Sequence, residues 1–215
     1  MTDQDQEPLT KTQLARLQSS LHSGSANASE ALAAWIEKRA IVEIDSLGQL
    51  PIEEATTVLG GGDEPICFCS MEVSGVIAGQ MILAFDDESG FALADMLLGQ
   101  PRGTTTHWTE LATSAALETT NIICCAYLNA LCEGLSTVRQ SVELVPAPPH
   151  FCREFAESLM QFALMGQSIA FDQAILGETR FQIDGVPVNW TLLFIPDADS
   201  MLRLTALLVD SETGS

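Results

Sequence analysis

Two long stretches of the chain place apolar residues at helical spacing. Between residues 14 and 38, Leu14, Leu17, Leu21, Ala28, Ala31, Leu32 and Trp35 recur at intervals that define one apolar face, and the pattern predicts a helix despite Gly24 in its interior. Residues 111–133, LATSAALETTNIICCAYLNALCE, form a longer and more apolar rod in which Ala115, Ala116, Ile122, Ile123, Ala126, Leu128, Ala130 and Leu131 leave little of the circumference polar. Such a helix should pack on a sheet. Strand character falls at residues 40–44, 66–73, 76–85, 169–171, 174–177, 179–183 and 188–194, with Ser74-Gly75 predicted as the turn of a hairpin. Pro51 fits the first turn of a short helix ending near Gly60, and the glycines at 60–62 fit a turn. Asp86-Asp-Glu-Ser89 caps a helix over 90–98, residues 101–107 break the pattern, a short helix is expected over 151–165, and residues 201–208 form the last helical segment.

After the break at 101–107 the order of elements returns. The 111–133 helix matches the first helix, residues 137–146 match the strand at Ile41, and 151–165 match the short helix. Phe85-Asp-Asp-Glu-Ser and Phe194-Ile-Pro-Asp-Ala-Asp-Ser, each followed by a segment ending in a Leu-Leu pair, are the plainest echo. A period of about 100 residues is too long for a solenoid and implies one pseudo-symmetric domain, its strands combined and its helices on the faces. The halves run from about 13 to 100 and from 108 to 209, with residues 1–12 and 210–215 expected to be flexible tails.

Composition narrows the partners. A chain of 215 residues with 47% apolar and 18% charged residues can bury a large core without staples. Its formal charge of −20, from 29 acidic and 9 basic residues, argues against nucleic acid and anionic membranes, and asks any protein partner to present Lys or Arg. No basic leader with an apolar core and no uninterrupted apolar span of membrane length is read, so a cytoplasmic protein is expected. The six cysteines, Cys67, Cys69, Cys124, Cys125, Cys132 and Cys152, lack paired CxxC spacing and read as reduced small hydrophobes, with no metal site and no cofactor of the chain's own. His22, His107 and His150 are scattered, and Ser19, Ser20 and Ser23 lack a GxSxG elbow. Trp35, Trp108 and Trp190 read as core or seam residues.

The candidate chemistry lies on the second long helix. At about 100° per residue, Ser114, Glu118 and Asn121 share one face, so a hydroxyl, a carboxylate and a carboxamide stand in a row on an otherwise apolar rod. A Glu with an Asn three residues on is common on the wet side of a helix, but the repeat supplies a control. Setting Ala31-Leu32 against Ala130-Leu131 places Ala15, Ser19 and His22 at the matching positions, without carboxylate or carboxamide. The stripe is therefore not a requirement for folding a helix of this kind.

Ser114-Ala-Ala-Leu-Glu118-Thr-Thr-Asn121-Ile-Ile, followed by Tyr127-Leu-Asn-Ala-Leu131, resembles the second active-site helix of the CheC family, which with CheX and FliY comprises phosphatases of the phosphorylated chemotaxis regulator CheY. The segment Phe85-Asp-Asp-Glu-Ser89 leading to Leu93-Ala-Asp-Met-Leu-Leu-Gly99 is similar to the family's joining segment, and the resemblance covers nearly the whole chain. It implies an α/β (α+β) fold: a duplicated, pseudo-two-fold domain with a mainly antiparallel sheet, two long helices packed on it and short helices beside them. It also implies a phosphatase acting on the aspartyl phosphate of a CheY-like response regulator, with Asn121 aligning water, Glu118 meeting the regulator's active-site lysine and Ser114 assisting. The magnesium ion would be the regulator's, and a CheD-like protein is a second implied partner. Thr120 stands where the family commonly has Gly, the proline that often opens the next strand is absent at Glu143 and Leu144, and Ser19 and His22 erase the first of two family sites. The alternative within the same fold is a binding module, a regulator sink or a scaffold without turnover.

Overall fold

The computed structural model describes residues 9–51, 54, 64–136, 141–156, 158, 173–184, 186–188 and 190–210. It opens on α1 (Lys11–Ile36), capped by Thr10, whose side chain accepts from the Gln13 amide while the Gln13 side chain accepts from the Thr10 amide. Leu9 is buried and its amide donates to Gln49 Oε1 at 2.8 Å, so residues 9–12 are anchored where the sequence suggests a tail. Then follow β1 (Ala40–Pro51), β2 (Ile66–Gly75), β3 (Gly79–Phe85), α2 (Asp87–Leu97), α3 (Glu110–Leu135), β4 (Leu144–Pro146), β5 (His150–Glu154), β6 (Gln173–Ile183), β7 (Val186–Val188), β8 (Trp190–Pro196) and α4 (Ala198–Asp210).

Among the described residues every strand pairing is antiparallel, and the sheet runs β1-β6-β8-β3-β2-β4, with β7 on β6 and β5 on β2. The order is pseudo-two-fold about the β3–β8 pair: β1 joins the β6–β8 hairpin, and β4 with β5 joins the β2–β3 hairpin. Each half thus lends its first strand to the other half. This is the α+β architecture expected from the resemblance.

Several local expectations fail for identifiable reasons. The segment from Phe151 begins as strand β5, not helix, because residues 150–154 complete the edge of β2; the expected helix appears only at Ala156 and Ser158, and the rest of it lies outside the described residues. Pro51 ends β1 rather than starting a helix, opposite Gln173 at the sheet edge where a missing N–H is tolerated. The residues expected at 52–60, the glycines at 60–62 and the strand at 169–171 fall largely or wholly outside the described residues. Only Leu144–Pro146 of the 137–146 strand is extended pairing, 141–143 are not strand, and 137–140 are outside the description. Residues 174–183 form one continuous strand on β1, whereas residues 188–194 divide between β7 and β8. The hairpin turns at residues 76–78 instead of Ser74-Gly75.

The helices lie on one face of the sheet. Leu17, Leu21, Leu32, Met71, Met81, Leu83, Tyr127, Leu128 and Leu131 meet there in the larger core, while Phe68, Ile82, Ala84, Leu193 and Ile195 form a second cluster on the opposite face with Ala156. By length and composition α3 could cross a bilayer, but 61% of its most apolar 18-residue window is buried within the fold. It is a core helix. α1 packs antiparallel on α3, closely enough that a Cβ on Gly24 would sit 2.7 Å from Tyr127 Cδ1 and 3.1 Å from its Cα. The buried Tyr127 hydroxyl lies 3.1 Å from Ser25 Oγ in the same seam.

Gly24 is thus a contact requirement inside a helix that would otherwise prefer Ala. Gly24→Ala gains about 1 kcal/mol of helix propensity and meets an overpacking cost of about 1–3 kcal/mol. Thermal unfolding should show a net loss of stability; a rise in melting temperature would mean the seam yields freely.

Candidate functional site

α3 starts where Thr109 caps it, its side chain accepting from the Ala112 amide at 3.2 Å. From there the helix turns Ala112, Ala115, Ala116, Thr119, Thr120, Ile123 and Cys124 into the core and leaves Ser114 and Glu118 exposed and Asn121 half-buried. The three predicted residues therefore share the outward face, as the helical period requires. Among the described residues, no side-chain hydrogen bond or ion pair occupies Ser114 or Glu118, and Asn121 Oδ1 accepts a long contact from Cys125 Sγ at 3.6 Å. Burial, with the Glu118 charge behind it, holds the Cys125 thiol above its ordinary range, so this sulfur is a neutral neighbour of Asn121.

The stripe forms one wall of a groove. Ser114, Leu117, Glu118 and Asn121 face Pro146, Ala147, Pro148 and Pro149. That second wall has a simple origin: β4 and β5 both pair with β2, and the proline segment interrupts what would be one edge strand, since proline has no amide to donate. Ala147 alone keeps a ladder bond, to Glu72 O at 2.8 Å. Around the helix, Asn121 also borders a second groove with Ile122, Cys125 and Asn129 of α3 and Asn27 and Ala31 of α1. Asn121 thus stands where two depressions meet.

Thr120, which stands where the family commonly has Gly, points away from the stripe. It is fully buried, its Oγ1 donates to Ala116 O at 2.8 Å, and it packs on Cys69. Burial pushes the Cys69 thiol up to about 12, the Thr120 hydroxyl acting in the opposite sense. The missing proline is also a matter of position: no proline stands at Glu143 or Leu144, but three line the groove a few residues later. The sequence signal for that wall was the run Pro146-Ala-Pro-Pro149 itself, which periodicity analysis passes over.

A carboxylate outside the groove ties its two walls together. Asp87, in the first turn of α2, accepts from Trp108 Nε1 (2.8 Å), Arg153 Nε (3.0 Å) and Cys67 Sγ (3.2 Å) on Oδ1, and from Arg153 Nη2 (2.6 Å) on Oδ2. The Arg153 hydrogen bonds hold its carboxyl below the usual carboxylate range, against the opposing effect of burial and with help from Trp108 and Cys67. Trp108 stacks among Phe85, Phe91 and Phe151 with ring centroids 6.0, 5.1 and 4.6 Å away, over Gly90, where any Cβ would lie 2.5 Å from the indole. Asp95 anchors the connection to α3: fully buried, it accepts from the amides of Gly103, Thr104 and Thr105 at 2.7–3.0 Å.

The first-half positions Ala15, Ser19 and His22 are exposed on α1. Ser19 there borders Arg16, Ser20, Ser23 and Glu133. His107 and His150 are exposed, and among the described residues no three of His, Cys, Asp and Glu gather as a metal site. Of the tryptophans, Trp190 is buried and Trp108 is a seam residue, while Trp35 is 39% exposed, contrary to expectation, at the last turn of α1. The six cysteines are free.

No family model matches the chain. It is 23% identical over 193 residues to the CheY-P phosphatase CheC of Bacillus subtilis, spanning 86% of this chain and 88% of that protein. Its fold matches Thermotoga maritima FliY with a TM-score of 0.76 at 14% identity, covering 96% of this chain and all of that one. The FliM middle domain of H. pylori matches with a TM-score of 0.63 at 16% identity, covering 93% of this chain and 99% of that one. In sequence the chain is similar to CheC, and in fold to FliY and the FliM middle domain.

The supports of the groove carry a pH signature. Burial raises the Asp95 carboxyl, but the hydrogen bonds of Thr105, Gly103 and Thr104 outweigh it, and the net shift is downward. A carboxyl whose folded value is depressed contributes stability above its unfolded value near 4, and that contribution is lost as pH falls through the folded value. Melting temperature should hold from pH 7 to about 5 and drop below about 4. Asp95→Asn should melt several degrees lower at pH 7, with the gap narrowing toward pH 3; a gap that stays constant with pH would remove Asp95 from this role.

Proposed function

We propose that the chain hydrolyses the aspartyl phosphate of a CheY-like response regulator, with the α3 stripe as its site. The observation that carries this reading is the Glu118–Asn121 pair on the outward face of a core helix, Glu118 without a side-chain partner among the described residues and Asn121 held by a long contact from Cys125, walled by the proline segment, in a chain similar to a CheY-P phosphatase. Hydrolysis forms a bond between water oxygen and phosphorus as the bond from phosphorus to the aspartyl oxygen breaks, releasing inorganic phosphate and regenerating the carboxylate. Phosphoryl transfer of this kind depends on alignment and charge stabilisation. Magnesium and lysine of the regulator supply the charge, so the missing component is an aligned water.

Asn121 fits that task because its carboxamide oxygen can accept from water while the amide donates, and it stays neutral beside a phosphoryl group. Glu118 fits the regulator's lysine: a carboxylate and an ammonium pair strongly at a partly desolvated contact, and docking covers both. Ser114, one turn earlier, borders the contact. The acidic surface of the chain agrees with a partner that presents a cation at its own site. The reading keeps both proteins in the cytoplasm.

A second reading, a regulator-binding or scaffold module with a CheD-like protein as its other partner, is favoured by the same fold in the FliM middle domain. It shares the docking surface and drops the turnover.

The two residues divide the labour, and their variants should separate. Asn121→Ala is expected to slow hydrolysis about a hundredfold or more with regulator binding largely kept. Glu118→Gln is expected to weaken binding first. Phosphate release from a phosphorylated regulator, with binding measured in parallel, checks both; an Asn121→Ala protein that hydrolyses at the parental rate contradicts the mechanism.

A further inference from the structure

The geometry points to Asp87 as the positioning residue of the site: one carboxylate that sets the distance between the α3 stripe and the proline wall through Trp108 and Arg153. The inference rests on the phosphatase reading for its functional consequence, but its structural content stands apart from it. Trp108 lies two residues before α3, so its hydrogen bond to Asp87 Oδ1 fixes where the helix begins. Arg153 lies four residues after Pro149 on β5, so its fork on both oxygens of Asp87 fixes the strand that leaves the proline segment. The aromatic contact of Trp108 with Phe151, at 4.6 Å between centroids, joins the same two segments directly.

Stability alone does not explain the arrangement. The Asp87 and Arg153 side chains are 31% and 41% exposed, a setting in which an ion pair contributes little to folding because solvent screens it. What the pair does supply is direction: a bidentate guanidinium–carboxylate contact has one good geometry, and the shared indole bond gives that geometry a second reference point. Asp87 touches neither groove wall itself. It acts on Asn121 only through the placement of α3 against β5, and misplacement of an aligning group by a fraction of an ångström is enough to lower a rate without unfolding anything.

The test uses the full chain and two readouts. Asp87→Asn keeps the shape and removes the charge; it should lower turnover of the phosphorylated regulator about tenfold, seen in kcat, with little change in melting temperature, and Asp87→Glu should recover part of the loss. Thr205→Ala, which removes the hydroxyl bond to Met201 O within α4, should leave kcat unchanged. Amide hydrogen exchange on the same Asp87→Asn protein should speed up at the first turns of α3 and in β5 together, with the last turns of α3 unaffected. Parental kcat in Asp87→Asn, or loosening of one wall alone, overturns the positioning role. If the parental protein shows no turnover, the phosphatase reading fails, and exchange alone decides Asp87: joint loosening upholds it and any other pattern overturns it.

Discussion

Packing of α1 against α3 across one face of the sheet is the constraint from which the rest follows. Gly24 lets the two helices approach until Tyr127 fills the seam, and the sheet takes most of what remains of α3. A helix buried on that scale can leave only a narrow strip to water, and the strip holds Ser114, Glu118 and Asn121. Rigid support from α1 and the sheet is what a site built on alignment requires, since the side chains inherit the precision of the backbone beneath them. The proline segment then turns a strip into a groove.

Charge acts at a different range. With 29 acidic residues against 9 basic, the molecule favours encounters with cationic surfaces over acidic ones. Inside, carboxylates do local work instead: Asp95 gathers three amides of the connecting loop and Asp87 gathers an indole and a guanidinium. Both end near the start of α3. Acidic side chains are thus also used to hold the helix that carries the stripe.

Much of this was legible in the residues. The period of α3 placed its outward face correctly, because a helix face is a property of spacing and survives any tertiary context. Comparison with Ala15, Ser19 and His22 made the stripe stand out within a single chain. What misled were short segments whose state is settled by distant partners: residues 151–154 read as the start of a helix but, with His150, complete the edge of β2, and Pro51 read as a helix start but closes β1 against Gln173. Thr120 departs from the family's Gly beside Asn121, yet one step along a helix is a rotation of about 100°, which takes its side chain into the core. The proline wall was invisible to periodicity for the same reason that it exists, since it is a break in a strand. The Asp87 hub joins residues 21 and 66 positions apart, a distance over which no local pattern speaks.

In the proposed function the groove turns over its partner rather than holding it. A phosphorylated CheY-like regulator mixed with about one-hundredth its concentration of this protein tests that directly. Acyl phosphate is expected to disappear through many turnovers, with release of stoichiometric inorganic phosphate. Loss that ends after one equivalent, or that is no faster than the regulator alone, would contradict it.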